Sequence, residues 1–107
     1  MEYNYWLEIE DNFFSQLHIK KLRNMPGGDT FIIIYQKMLL LSAETNGYIT
    51  SKGIEKTLEG EISLAINENT NNVKTAIKFM KVAGLIEPTT DKNGYLLKAV
   101  GLTIGSD

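Results

Sequence analysis

The chain contains no cysteine. Disulfides, thiol nucleophiles, iron–sulfur clusters and thiolate zinc sites are excluded together. Histidine occurs once, at His18, so a histidine-based triad or a His-rich metal site is hard to build. Arginine also occurs once, at Arg23. No apolar run is long. The greasiest, Phe31 to Leu41, contains Gln36 and Lys37 and falls far short of the ~20 residues of a membrane span. The start, Met1-Glu2-Tyr3-Asn4-Tyr5-Trp6, lacks the basic-then-apolar order of a targeting signal. The expected compartment is therefore the cytoplasm, with no membrane contact. No Gly-rich phosphate loop, His-x-x-x-His pair or nucleophile elbow occurs. Glu55, Glu59 and Glu61 read as a solvated helix face, and Ser51 and Ser63 have no base nearby in sequence. The chain is expected to be no enzyme, with no catalytic residue, no metal site and no cofactor.

What is present is ordinary globular material. Of the 107 residues, 43% are apolar and 22% charged, enough for one domain with its own core. The formal charge of −2 has the wrong sign for bulk attraction to nucleic acid. Its distribution is uneven, however. Residues 1–69 carry six bases against ten acids, and residues 70–107 carry five bases against three acids. The C-terminal third is locally basic.

From Tyr3 to Ile9, apolar and polar residues alternate, which predicts a strand. Trp6 falls on its second face and either packs under another element or meets a partner chain. Asp11 or Asn12 is positioned to cap a helix from about Phe13 to Arg23, with Phe14, Leu17, Ile19 and Leu22 as its apolar face. Pro26-Gly27-Gly28 ends it. Asp29 then caps a helix to about Ala43 that is apolar nearly all round, hence central; part of this apolar excess is a candidate self-association surface. Tyr48-Ile49-Thr50 is a short extended piece. Ile54 to Ile66 is a weaker helix, interrupted by Gly60. Asn69 or Thr70 caps the clearest helix, Thr70 to Ala83, and Gly84 is its left-handed C-cap. Two extended segments follow, Leu85–Glu87 and Tyr95–Val100, and Asn93-Gly94 between them signals a hairpin.

This order predicts an α+β fold of the winged helix-turn-helix kind, with an N-terminal strand and a C-terminal hairpin wing. The segment from Thr70 to Ala83 takes the place of the recognition helix. On a 3.6-residue period its Val73, Ala76, Ile77 and Met80 share a buried face, while Lys74, Lys78 and Lys81 lie together on another. Thr70, Asn71, Asn72 and Thr75 are short polar groups suited to base edges or phosphates. Lys92 stands at the wing tip. These eight residues are the candidate DNA contacts. The lone arginine lies elsewhere, so bidentate arginine–guanine recognition from this helix is excluded and backbone-weighted binding is expected.

Several blocks resemble the N-terminal domain of phage replisome organiser proteins. They are Tyr5-Trp6-Leu7-Glu8-Ile9 with Phe13-Phe14, Ile19-Lys20-Lys21-Leu22-Arg23, and Gly27-Gly28-Asp29-Thr30 running into Ile33 to Ser42. Asn72-Val73-Lys74 and Gly84-Leu85-Ile86-Glu87 complete the likeness, which covers nearly the whole chain. Such domains are similar to those of plasmid initiators and DnaD-type primosomal proteins. The resemblance implies one winged-helix domain over residues 1–107, forming the N-terminal part of a longer replication protein in a bacterial host cell. It also implies binding to origin DNA, duplex or single-stranded, and homo-oligomerisation. Helicase-loading partners would be recruited through a C-terminal domain not contained in this sequence. On the matching helix it carries over Asn72 and Lys74. Tyr3, Tyr5 and Trp6 are the candidate self-association residues. Two alternatives stand beside this reading: a pure protein-interaction module, and a transcription regulator that prefers a short palindromic duplex.

Overall fold

The structure, a computed structural model, describes residues 4–91 and 93–107. The fold is α+β. Four helices, α1 (Leu17–Arg23), α2 (Gly28–Leu41), α3 (Leu58–Ile66) and α4 (Thr70–Ala83), accompany five strands among the described residues. The strands are β1 (Tyr5–Ile9), β2 (Tyr48–Thr50), β3 (Ile86–Pro88), β4 (Gly94–Leu97) and β5 (Leu102–Ser106). β2, β4 and β3 form an antiparallel sheet in that order, and β1 pairs with β5 in a separate antiparallel ribbon. The arrangement is compatible with a winged helix. Among the described residues no helix is long and apolar enough to cross a membrane.

α2 is the spine of the core. Phe31, Ile32, Ile34, Tyr35, Met38 and Leu39 are buried along it, and α1, α3 and α4 all pack against it. The helix is central, as its nearly all-round apolar sequence predicts, but its burial is not complete. Ile33, Leu40 and Leu41 face outward. Asp29 is not its cap either. Gly27, at φ 82°, turns the chain into the helix, and Asp29 lies in the first turn, 2.8 Å from the Arg23 guanidinium. The carboxylate suits the positive end of the helix dipole there.

The segment after β1 also departs from expectation. Phe13–Ser15 is a single 3-10 turn, Gln16 is extended, and α1 begins only at Leu17. The turn carries Phe13 into the core and leaves Phe14 and Leu17 exposed. α3 begins at Leu58, not Ile54. Thr57 Oγ1 accepts from the Gly60 amide at 3.0 Å, so Gly60 belongs to the capped first turn and does not interrupt the helix.

The strand predicted over Tyr3–Ile9 is seen from Tyr5; Tyr3 lies outside the described residues. Its partner, β5, has no counterpart in the sequence reading. Trp6 lies opposite Gly105, and a Cβ on Gly105 would come within 2.2 Å of the indole nitrogen. The indole thus covers the bare glycine within the ribbon, while 40% of Trp6 stays exposed. At the hairpin between β3 and β4, Asn93-Gly94 does not form a tight turn. Asp91 accepts from Thr89 Oγ1 at 2.6 Å and the Asn93 amide at 3.1 Å, and both hydrogen bonds hold its carboxyl below the usual range. Gly94 is already in β4, where a Cβ would meet the Ile49 carbonyl oxygen at 2.3 Å.

Candidate nucleic-acid interface

The α3–α4 corner is set by local chemistry. Asn67 closes α3 at φ 57°, a left-handed conformation that asparagine tolerates. Ser63 Oγ donates to the Glu68 carbonyl at 2.9 Å and pairs with Thr70 Oγ1 at 2.8 Å. Asn69 Oδ1 accepts from the Asn72 amide at 3.1 Å and so caps α4. At the other end Gly84, at φ 77°, takes the left-handed C-cap position. The His18 Nδ1–H donates to the Ala83 carbonyl at 2.6 Å, fixing the end of α4 to α1.

α4 buries Val73, Ala76, Ile77, Met80 and Ala83. The opposite face presents Asn71, Lys74 and Lys78 to solvent, with Val82 exposed among them. Neither Lys74 nor Lys78 has a carboxylate within 4.0 Å among the described residues. Asn72 is exposed on the flank. Three candidates are engaged inside the molecule. Thr70 is tied to Ser63. Thr75 donates its hydroxyl to the Asn71 carbonyl at 2.9 Å. The Lys81 ammonium lies 5.1 Å from the centre of the Tyr95 ring on β4, a cation–π distance. Tyr95 in turn donates to Glu59 Oε1 at 3.0 Å. Burial, aided by that carboxylate, pushes the Tyr95 phenol up to about 12. One chain of contacts therefore runs from α4 through the hairpin to α3. Lys92 lies outside the described residues.

The structure thus brings Asn71, Lys74 and Lys78 onto one open surface, with Asn72 and Lys81 on its flanks. Thr70 and Thr75 act mainly as internal braces. The Lys81–Tyr95 contact was beyond sequence reasoning, because it joins α4 to a strand that only the tertiary fold sets beside it; the Ser63–Thr70 pair is local, but its hydroxyl geometry depends on how the corner turns. Among the described residues no group of three or more His, Asp or Glu side chains is placed to hold a metal ion.

No curated protein and no solved structure matches the chain. A family model does. The N-terminal phage replisome organiser model matches residues 6–99, nearly the whole sequence, and the chain belongs to that family of phage replication domains.

Proposed function

We propose that this domain binds DNA through the outward face of α4 and the adjacent β3–β4 hairpin, as part of starting phage DNA replication. The observation that carries the reading is the pair of ammonium groups, Lys74 and Lys78, free of carboxylate partners among the described residues and set beside Asn71 on a helix otherwise fixed to the core. The α4 N-terminus adds favourable dipole potential for a phosphate. With no arginine on this face, contacts to the phosphate backbone dominate, so binding is salt-sensitive and modest in sequence preference. In this reading the domain binds and positions DNA and catalyses nothing. Helicase-loading partners belong to other parts of the replication protein.

Fluorescence anisotropy with a duplex and a single-stranded oligonucleotide, over a salt series, tests this. Lys74→Ala and Lys78→Ala should each weaken binding and reduce the slope of log affinity against log salt. For every phosphate that a variant no longer neutralises, the slope should drop by about 0.9 on a duplex and about 0.7 on a single strand. Affinity and slope unchanged in both variants refute this surface.

A second reading rests on the β1–β5 ribbon. Its two strands pair only with each other, so both outer edges are open among the described residues, and Trp6 is part-exposed beside Tyr5. We infer a two-fold self-association there, through Tyr5 and Trp6, with Tyr3 adjacent in sequence. Sedimentation velocity on Trp6→Ala against the wild type checks it. Identical mass distributions at all concentrations argue against it.

A further inference from the structure

Two exposed patches of opposite character lie outside both surfaces above. The first is a groove of about 340 Å³ between the end of α2, β2, the 51–57 connection and α3. Leu41, Tyr48, Ile54 and Leu64 line it, and all four are large apolar side chains exposed to solvent. Single exposed leucines are ordinary; four apolar residues around one concavity mark an interaction site. Glu44 and Glu61 also line it, against one base, Lys52. Glu61 builds one wall as well. Its carboxylate accepts from Ser51 Oγ at 2.6 Å and from the amides of Lys52 at 2.8 Å and Ile54 at 3.3 Å.

The second patch is the outer face of α1. Leu17 is 79% exposed. Lys20 and Lys21 follow at i+3 and i+4 and flank it on the same face. Neither has a carboxylate within 4.0 Å among the described residues. Phe14 stands exposed next to this face, with the Arg23 guanidinium 5.3 Å from its ring centre. The patches share no residue, and they belong to helices that each pack on α2 and α4.

We propose that the α1 face of one copy seats in the groove of a second copy. Leu17 enters between Leu41 and Leu64, and Lys20 and Lys21 face Glu44 and Glu61. Charge complementarity names the occupant: the groove is apolar with an acidic lip, and the α1 face is apolar with a basic rim. The contact is head-to-tail, so each copy keeps one unfilled groove and one unused α1 face. Assembly therefore continues into a ring or an open chain. This deepens the self-association reading but does not depend on the ribbon, whose contact is two-fold.

Sedimentation velocity with two paired variants tests it. Leu17→Gln/Lys21→Gln removes the knob and Leu64→Gln/Glu44→Gln disables the groove. All four positions lie outside the buried core, so folding is not at stake. Wild type should grow in mass with concentration, and less so at high salt. On a Trp6→Ala background, which removes ribbon dimers, each variant alone should lose that growth, associating about tenfold or more weakly, as for loss of an apolar anchor. Mixed in equal amounts, the variants should form one 1:1 complex, because one intact groove then meets one intact knob. Ribbon dimers, if formed, persist in both variants with Trp6 intact and vanish in Trp6→Ala. A strictly monomeric wild type, variants that assemble as wild type does, or a mixture without the 1:1 species each overturns the proposal. So does a Lys21→Gln change that lowers DNA affinity while leaving assembly intact.

Discussion

Replacing Tyr35 by Phe isolates the work of one hydroxyl. The ring lies fully buried in the middle of α2. Its O–H donates to the Lys98 carbonyl, and its oxygen accepts the Val100 amide at 3.1 Å. Both partners belong to the crossover between β4 and β5, so a single side chain fastens the hairpin and the ribbon to the central helix. Phenylalanine keeps the packing and removes both bonds. A backbone group left unsatisfied costs about 1–3 kcal/mol when buried. Lys98 is exposed and Val100 half-buried, so water replaces part of the loss, and the sum comes to about 2 kcal/mol. With a urea dependence of about 1–3 kcal/mol per molar, the unfolding midpoint should fall by roughly 1 M with an unchanged slope. Amide exchange at Val100 should accelerate more than at Ile77 on α4. A midpoint shift below about 0.2 M would refute the assignment of this hydroxyl as the fastening point.

Other expectations are equally direct. Asn69→Ala deletes the cap of α4 and should cost about 1 kcal/mol, read by thermal unfolding; an unchanged melting temperature would contradict the cap. Gly105→Val drives a side chain into the space of the Trp6 indole, so the emission of the only tryptophan should shift to the red as the ring is expelled into water; an unmoved spectrum would count against the packing. Stability should also fall in alkali. Burial pushes the Tyr35 phenol, like that of Tyr95, up to about 12 from 10.0. Between those values the unfolded chain has released protons that the folded chain still holds, so rising pH favours unfolding. Urea midpoints should hold level up to about pH 10 and then decline, less steeply in Tyr35→Phe.

The parts of the fold legible in sequence are those whose signals are local. α4 is the best case, because Asn69, the Val73/Ala76/Ile77/Met80 spacing and Gly84 all act within the helix itself. The lysines on its outer face follow from the same period. β5 was illegible for the opposite reason. Leu102-Thr103-Ile104-Gly105-Ser106 gains its conformation from β1, almost a full chain length away, and the bare Gly105 makes sense only under the Trp6 indole. Helical spacing from Phe13 onward places Phe14 and Leu17 on the buried face, and the single 3-10 turn reverses this by carrying Phe13 inward. Gly60 likewise reads as an interruption until Thr57 is seen to take its amide. The groove is lined entirely from residues 41–65, yet its concavity exists only once the end of α2, β2 and α3 fold around one another.

The lone imidazole has a consequence for how α4 meets a ligand. His18 grips the last carbonyl of that helix while the Ser63–Thr70 hydroxyl pair grips its start, so the helix is clamped against rolling or sliding. A nucleic acid held there, as proposed above, would meet an unyielding template. Discrimination between strands would then arise from how readily each one deforms to fit.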